Sequence, residues 1–318
     1  MKPSKPLIAI LGPTAVGKTN LSLELASRLD GEIVSADSRL LYRGMDIGTD
    51  KPSLAARARV PHHLIDVADP QEAWSMARFR QAALQAIDGI QARGRLPFLV
   101  GGTGQYMAAV LEGWNPPPRS DSKAFRERMQ DLARRQGIQA LHARLAEVDP
   151  ESADEIDPRN IRRVIRALEV HQLTGQPASR LRKRKPPPYE VLRILLELPR
   201  QELYARIDRR IEAMMAAGWL DEVRRLLARG ASADSPAFSA IGYRQLAEHL
   251  RGERSLDDAL AEIRKLNRQL VRRQSNWLRR LGEGAVRIEA RGDFVEPAGR
   301  AIRAWLEGKP PQAPSAST

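Results

Sequence analysis

The sequence predicts an α/β protein in which a parallel sheet is flanked by helices and interrupted by an inserted all-helical domain. In the first part of the chain, short apolar runs alternate with segments of helical periodicity, the order that a parallel sheet requires. Two proline-rich stretches, at 115–119 and 180–188, then bracket a helical and highly charged section. An apolar run at 191–198 follows, and we interpret it as a strand that returns to the sheet.

The first elements alternate in a regular order. Strands are predicted at 7–11, 32–37, 64–67 and 96–100, and helices at 17–29, 74–92 and 104–110. Residues 38–61 are expected to form a long polar loop between two of the strands. Because ligands bind at the carboxyl ends of parallel strands, the residues that directly follow these strands are the first candidates for a functional site.

The chain divides into four predicted sections. Residues 1–116 form the first part of the α/β core, 117–188 the inserted helical domain, and 189–290 the second part of the core with basic helices. Helices in that second part are predicted at 207–218, 220–228 and 243–250, with a long one from Ser255. Residues 291–318 are predicted to form a C-terminal tail that is disordered beyond Lys309, where proline, alanine and serine dominate.

The composition favours a polyanionic partner. The 318 residues include 52 Lys and Arg against 39 Asp and Glu, a net charge of +13. Such an excess attracts nucleic acid, although it also serves general solubility. The chain has no cysteine, which excludes disulfides, a thiolate nucleophile and a cysteine-ligated zinc site. Since no apolar run is long enough for a membrane span and the N-terminus has no signal-peptide core, we expect no membrane association and a cytoplasmic protein.

A phosphate-binding site is predicted near the N-terminus. The first strand runs directly into G-x-x-x-x-G-K-T, which then opens a helix. The glycines allow backbone N–H groups to surround an anion, Lys18 supplies a cation, and Thr19 supplies a hydroxyl for Mg²⁺. This order indicates a P-loop NTPase-like core that binds a pyrophosphate, rather than an ordinary glycine-rich turn. The candidate diphosphate- or nucleotide-binding residues are Gly12, Pro13, Thr14, Ala15, Val16, Gly17, Lys18 and Thr19.

Two polar residues are predicted at the same edge of the sheet. Asp37 ends the second strand and is a general base, a Mg²⁺ ligand or a helix cap. Thr103 lies between glycines at the end of another strand, where it donates a hydrogen bond to a substrate or caps the next helix. The residues alone leave these alternatives open.

Two helices carry segregated positive charge. In the last long helix Arg264, Lys265, Arg268, Arg272 and Arg279 lie opposite an apolar stripe, and no acidic residue follows Glu262 through Arg280. In the inserted section, Asp157 and Pro158 are expected to start a helix with Arg159, Arg162, Arg163 and Arg166 on its polar side. A solvated surface is one interpretation of each stripe. Two independent stripes favour contacts with the phosphates of a folded RNA.

Several motifs resemble the bacterial tRNA dimethylallyltransferases, members of the tRNA isopentenyltransferase family. They are GPTAVGKT at 12–19, SADSRLLYRGMDIGTDKP at 35–52, GGTGQY at 101–106, GWLDEVRRLLARG at 218–230, IGYRQL at 241–246 and RRQSNWLRR at 272–280. The resemblance implies that the P-loop holds the diphosphate of dimethylallyl diphosphate. It further implies transfer of the dimethylallyl group to N6 of adenosine 37 of a tRNA, directly 3′ of the anticodon, by a monomeric enzyme with Mg²⁺.

The resemblance also assigns roles to individual residues. It implies that Asp37 accepts the proton from N6, that Thr103 hydrogen-bonds the adenine or the reacting centre, and that Arg224 reaches the diphosphate. Leu40 stands where many members have Gln, which affects one polar contact to the adenine. The segments implied to contact tRNA comprise Asp37, Ser38, Arg39, Leu40, Thr103, Arg126, Arg162, Arg163, Val164, Ile165, Arg166, Ala240, Ile241, Gly242, Tyr243, Arg244, Gln245, Arg272, Arg273, Gln274, Ser275, Asn276, Trp277, Leu278 and Arg279.

Two other functions are compatible with parts of the sequence. A P-loop kinase that uses ATP on a small acceptor explains the first part of the chain equally well, but it leaves the basic helices without a role. An RNA-binding NTPase switch would require a residue that positions the attacking water, and none can be singled out.

Overall fold

The computed structural model describes residues 1–114, 123–181 and 186–311. It contains a six-stranded sheet, in the order β3-β2-β4-β1-β5-β6, whose strand pairs are all parallel. The strands are β1 (Pro6–Leu11), β2 (Gly31–Ser35), β3 (His62–His63), β4 (Leu96–Val100), β5 (Glu190–Glu197) and β6 (Val286–Glu289). The predicted α/β class is therefore confirmed, and the predicted return of the chain to the sheet is β5.

The sheet is buried on both faces by helices. β1 pairs with β4 on one side and with β5 on the other, and Leu7 to Leu11 are all inaccessible to solvent. Such a central strand is apolar throughout rather than alternating, which is why its sequence was easy to interpret. The helices around it are α1 (Lys18–Arg28), α2 (Leu54–Arg59), α3 (Met76–Ala92), α4 (Gly104–Leu111), α10 (Arg200–Ala216), α11 (Trp219–Ala228), α12 (Tyr243–Leu250), α13 (Leu256–Leu281) and α14 (Val295–Leu306).

The helices between α4 and β5 have a hydrophobic core of their own. They are α5 (Lys123–Gln136), α6 (Ile138–Val148), α7 (Pro150–Glu155), α8 (Ile161–Thr174) and α9 (Ala178–Leu181). The buried Asp149 carboxylate joins two of them, because it accepts hydrogen bonds from the backbone N–H and hydroxyl of Ser179 as well as from Ser152 N–H. The predicted domain boundary at 116/117 and most of the basic linker lie outside the described residues, so the boundaries stay predictions.

Two predictions for the segment before α3 are wrong. The strand expected at 64–67 is a turn, because Leu64 and Asp66 have positive φ angles of 63° and 56° and β3 ends at His63. Lys51 and Arg57 form ion pairs with the Asp66 carboxylate at 2.5 and 2.7 Å, and they stabilise this turn. The expected loop at 38–61 contains α2, whose first turn is capped by the Ser53 hydroxyl.

Two further boundaries differ from the prediction. α8 begins at Ile161 with Asn160 as its cap, because Asp157 instead accepts hydrogen bonds from the backbone and guanidinium of Arg159. The C-terminal section predicted as a tail contains α14, which buries Ala298, Ala301 and Ile302 and packs against α1. The expected disorder beyond Lys309 concerns mostly residues 312–318, outside the described part. No helix in the described ranges is long and apolar enough to cross a bilayer.

Candidate active site at the carboxyl edge of the sheet

The phosphate-binding loop follows β1 and closes tightly on itself. Gly12 has a φ of 155°, and a Cβ there would lie 2.8 Å from Val16 Cγ1 and 3.0 Å from the Leu196 carbonyl oxygen. Gly17 precedes α1 with a φ of 105°, a conformation that side chains disfavour. The loop therefore requires glycine at both ends, and it directs the N-terminus of α1 towards the site.

Lys18 is held inside this loop. Its Nζ donates a hydrogen bond of 2.7 Å to the Pro13 carbonyl oxygen. Burial lowers the pKa of Lys18 to about 8, an effect that Asp37 and Asp50 oppose and Arg210 reinforces. The ammonium is thus poorly solvated and lacks a carboxylate in direct contact among its described hydrogen bonds, which prepares it for an anionic ligand.

Asp37 and Thr103 meet at the ends of β2 and β4. Asp37 Oδ1 accepts a hydrogen bond of 2.8 Å from Arg39 N–H, and the next residue, Ser38, donates its N–H to Thr103 Oγ1 at 3.1 Å. Thr103 precedes α4 but makes no capping hydrogen bond. Thr103 is thus the N-cap residue of α4 by its backbone, while its hydroxyl joins the two loops instead.

A pocket unites the phosphate-binding loop with the Asp37 loop. Lys18, Thr19 and Asp37 line its polar part, and Leu40, Ile65 and Val100 line an apolar part. The sequence therefore predicted correctly that Asp37 and the loop lie on the same edge of the sheet. A polar region next to an apolar wall suits a ligand that joins an anionic group to a hydrocarbon.

Two arginines of α10 reach the phosphate-binding loop: Arg206 donates a hydrogen bond of 3.4 Å to the Val16 carbonyl oxygen, and Arg210 contacts a side chain of the loop. The Arg210 guanidinium donates to Thr14 Oγ1 at 2.9 Å and to Asp50 Oδ2 at 3.3 Å. Arg224, in contrast, lies on the exposed face of α11 and pairs with Asp221. Because α11 uses Val223 and Leu226 for packing, Arg224 faces away from the sheet, and its contact with a diphosphate stays a prediction.

Helix α13 also contributes to the loop. The Gln274 side chain accepts a hydrogen bond of 2.9 Å from Thr14 N–H and donates one of 3.0 Å to the Gly102 carbonyl oxygen. Gln274 was expected to contact tRNA, but it is buried between two loops. Trp277, three residues later, packs so closely on Gly104 that a Cβ there would lie 2.4 Å from the indole.

The expected tRNA contacts differ in exposure. The exposed ones are Arg126, Arg162, Arg163, Arg244, Arg272, Arg273, Asn276 and Arg279. Val164, Ile165, Ala240, Gly242, Tyr243 and Gln274 are buried, and the remaining ones are half-buried. The motifs therefore include packing residues, and the contacts with tRNA stay predictions. Arg126 and Arg166 both form ion pairs with the buried Glu169.

Acidic residues of α10 neutralise two of the five basic residues in the stripe on α13. Arg268 pairs with Asp208 at 3.0 Å, and Arg264 lies 3.9 Å from Asp208 and 3.8 Å from Glu212. The charge pattern of α13 alone does not reveal these partners, because they lie on another helix. Among the described residues, neither Arg272 nor Arg273 forms an ion pair, so the unpaired charge is concentrated near the site.

The pocket offers hard oxygen ligands for a magnesium ion. Within the described ranges there is no cluster of three or more acidic or histidine side chains that could hold a metal alone. The Thr19 hydroxyl and the Asp37 carboxylate nevertheless line the pocket together. Mg²⁺ keeps several waters and needs only one or two protein oxygens when a phosphate completes its shell, so these residues fit it.

The fold and this site together define a P-loop α/β protein whose phosphate-binding loop faces a carboxylate across one pocket. A family model described as IPP transferase matches residues 40–281. The chain belongs to this family. The resemblance inferred from the motifs is therefore confirmed.

Curated relatives and solved structures agree with this assignment. The chain is 54% identical over 305 residues to a tRNA dimethylallyltransferase of Roseiflexus sp. (strain RS-1), which covers 95% of this chain and 99% of the relative. It is 50% identical to the enzyme of the same name from Thermomicrobium roseum, over 88% and 85% of the two chains. The structure of the tRNA isopentenylpyrophosphate transferase of Bacillus halodurans is similar with a TM-score of 0.71 and 40% identity, over 96% and 98% of the chains. A eukaryotic dimethylallyltransferase acting on tRNA is similar with a TM-score of 0.81 and 26% identity, over 97% and 81%.

Proposed function

We propose that this enzyme transfers a dimethylallyl group from dimethylallyl diphosphate to N6 of the adenosine directly 3′ of the anticodon in tRNA. The observation that carries the proposal is the pocket that Lys18 and Thr19 share with Asp37. It brings an anion-binding loop and a potential proton acceptor to one reacting centre. Family membership and the names of the relatives support the same activity.

The P-loop and Arg210 bind the diphosphate of the donor. In the reaction, N6 attacks the allylic carbon, the bond from that carbon to the diphosphate oxygen breaks, and negative charge grows on the leaving diphosphate. Lys18, Arg210 and the N-terminus of α1 stabilise that charge, and they do so in a partly dehydrated site where the interaction is strong. Mg²⁺, held by Thr19 with Asp37 nearby, would supply further neutralisation of the same oxygens.

Asp37 accepts the proton that N6 loses. Its carboxylate is oriented by Arg39 N–H, and its second oxygen is not used in that hydrogen bond. Thr103 lies on the same edge and contacts the Asp37 loop through Ser38, which suits it to hydrogen-bond the adenine. Extrusion of the base costs a few kcal/mol, about the size that contacts of this kind offset.

Exposed arginines bind the tRNA through its phosphates. Arg272, Arg273 and Arg279 on α13 and Arg162 and Arg163 on α8 are exposed, and the chain carries a net charge of +13. We also propose that the enzyme acts as a monomer in the cytoplasm.

One assay separates prenyl transfer from the rival kinase activity. Unmodified tRNA is incubated with the enzyme, dimethylallyl diphosphate and Mg²⁺, and the tRNA mass is measured with and without ATP. The proposal predicts a gain of one dimethylallyl group that does not depend on ATP. Absence of that gain, or a phosphate transfer that requires ATP, would contradict it.

A further inference from the structure

Glu222 is a buried carboxylate that joins two segments of the site. Its side chain is almost inaccessible, with 3% exposure. Oε2 accepts hydrogen bonds from Asp46 N–H at 2.8 Å and Ile47 N–H at 2.7 Å, and Oε1 accepts from Gly48 N–H at 3.1 Å and from the Tyr243 hydroxyl at 2.6 Å. Burying a carboxylate without a cation is costly, and four donors are the compensation that makes it tolerable.

Trp219, the first residue of α11, packs closely on both segments that Glu222 joins, the turn at 46–48 and the segment 240–245. A Cβ at Gly48 would lie 1.9 Å from Trp219 Nε1, and one at Gly242 would lie 2.0 Å from Cζ2 of the same indole. The Trp219 indole N–H is buried without a hydrogen-bond partner among the described residues. The Glu222 carboxylate is therefore the polar connection at this point, and Trp219 supplies packing alone.

On one side, this connection leads to the phosphate-binding loop. The turn that Glu222 holds continues to Asp50, whose N–H donates to the Ile47 carbonyl oxygen at 3.0 Å. Asp50 accepts a hydrogen bond from Arg210, which in turn donates to Thr14 of the loop. Asp50 thus holds one side of the Arg210 guanidinium, whose other side contacts the phosphate-binding loop.

On the other side, Tyr243 belongs to the segment 240–245, which carries the exposed Arg244. Burial, with the Glu222 charge next to it, raises the pKa of Tyr243 well above its usual value. The hydroxyl therefore stays protonated, as the donor to Glu222, at neutral pH. The two segments are joined through one carboxylate.

We propose that Glu222 is a positioning residue for the donor: it fixes the turn at 46–48, and through Asp50 it holds Arg210 in the orientation that binds the diphosphate. The idea rests on the proposed function for its biological meaning, but its central claim concerns diphosphate binding alone. The sequence gives no sign of this role, because Glu222 appears there as one charge on an amphipathic helix.

The first experiment measures the affinity of the full-length protein for inorganic pyrophosphate with Mg²⁺ by calorimetry. Glu222→Gln keeps the shape but replaces one acceptor oxygen by an amide donor that faces backbone N–H groups. We expect the affinity to fall about tenfold, the size of one misoriented charged contact. In the transfer assay, KM for dimethylallyl diphosphate should rise, and kcat at saturating donor should fall as well, because Arg210 also stabilises the charge that grows on the leaving diphosphate.

Glu32→Gln is the matched control. Glu32 is also 3% exposed, accepts a hydrogen bond from Arg93 and contacts the His63 ring at 2.6 Å, but it lies near the amino end of β2 and does not line the pocket. A general loss of stability would affect both variants. We expect Glu32→Gln to lower the melting temperature while leaving pyrophosphate affinity within about twofold of the parent.

A double-mutant cycle tests the route through Arg210. If Glu222 acts by orienting Arg210, then Glu222→Gln added to Arg210→Ala should change the affinity by less than about twofold, because the interaction is already lost. Additive losses would overturn the proposal, as would unchanged affinity in Glu222→Gln alone. If Glu222→Gln does not fold, the pyrophosphate affinity of Asp50→Asn is measured instead, because Asp50 is exposed and its substitution is tolerated more easily. An unchanged affinity in Asp50→Asn overturns the proposal as well.

Failure of the positioning role of Glu222 can be distinguished from failure of the proposed function. A wild-type enzyme that binds pyrophosphate but does not prenylate tRNA contradicts the proposed function and leaves the role of Glu222 open to the same cycle. A wild-type enzyme that prenylates tRNA, with a Glu222→Gln variant of normal donor KM, contradicts the positioning role alone.

Discussion

The donor end of the site and the RNA face of the molecule are held together in opposite ways. The donor end, by which we mean 12–19 with Arg210, is partly buried and is fixed by backbone, amide and guanidinium contacts. The RNA face, meaning Arg162, Arg163, Arg272, Arg273 and Arg279, is exposed. A charge at the donor end therefore acts through fixed, poorly solvated geometry, whereas charges on the RNA face act additively and are screened by salt.

The largest effect is expected at Asp37, which shares the pocket with the donor end. Asp37→Asn removes the proton acceptor and leaves the surface arginines intact. We expect kcat to fall by about 10²- to 10⁴-fold, the usual contribution of a general base, with tRNA affinity within about twofold. Single-turnover transfer and filter binding measure the two quantities, and Asp69→Asn, an exposed carboxylate paired with Arg43, is the control. Loss of tRNA binding in Asp37→Asn would move Asp37 from catalysis to recognition.

Lys18→Met is expected to separate binding from stability. Removal of the ammonium should weaken pyrophosphate binding by about 10- to 100-fold, the value of one charge-assisted contact. The same variant should gain about 1–3 kcal/mol in the free energy of unfolding at pH 7, because the buried ammonium is unfavourable in the folded protein. Titration calorimetry and denaturant unfolding give the two numbers. A variant that loses both would show that Lys18 stabilises the loop.

The pH dependence of that stability difference has a definite sign. Burial lowers the pKa of Lys18 from 10.5 to about 8 in the folded protein. Between these values the unfolded chain binds more protons than the folded one, so the wild-type protein gains stability as the pH rises from 8 towards 10.5. The difference between wild type and Lys18→Met should therefore be constant below pH 8 and shrink above it. A difference that is independent of pH up to 10.5 would contradict the lowered pKa.

On the RNA face, the double variant Arg272→Ala and Arg273→Ala should weaken tRNA binding by about 5- to 30-fold. The slope of log affinity against log salt should fall by about 1 to 2, one for each lost phosphate contact. Pyrophosphate affinity should not change, because neither side chain contacts the loop. An unchanged salt slope would return these arginines to the role of a solvated surface.

The smallest effect is expected for Arg264→Ala with Arg268→Ala, the matched pair on the same helix. These side chains already pair with Asp208 and Glu212, so their charge is largely neutralised. We expect the tRNA affinity to change by less than about twofold. The slope of log affinity against log salt should change by less than about 0.5. Behaviour equal to that of the Arg272 and Arg273 variant would show that pairing within the protein does not decide which arginines meet RNA.

The features that the sequence predicts correctly are those with local signals. The phosphate-binding loop and the central strands were predictable because their signals are local: a fixed glycine spacing and an uninterrupted apolar run. The position of Asp37 beside the loop followed from the parallel sheet, in which strand ends share one edge. The two-residue strand β3 was misplaced because an apolar pair, Leu64 and Ile65, is buried in a turn rather than in a strand.

Contacts between distant elements were beyond the sequence. Helix α10 carries Arg206, Arg209 and Arg210 within one turn and a half, and only the packing of α10 decides that Arg210 reaches Thr14. Likewise, the acids that neutralise Arg264 and Arg268 lie on α10, and the partners of Glu222 lie far away in the chain. Charge patterns on one helix therefore predict a polar face, but the tertiary structure decides whether it is solvated, paired or functional.

The most direct test of the whole account is the location of the transferred group. Wild-type enzyme is supplied with dimethylallyl diphosphate, Mg²⁺ and two tRNA transcripts, one with adenosine and one with inosine directly 3′ of the anticodon, and the products are digested and sequenced by mass. The account predicts one dimethylallyl group on N6 of that adenosine and none on the inosine transcript, which lacks the amine. A group at any other position, or transfer to the inosine transcript, would contradict it.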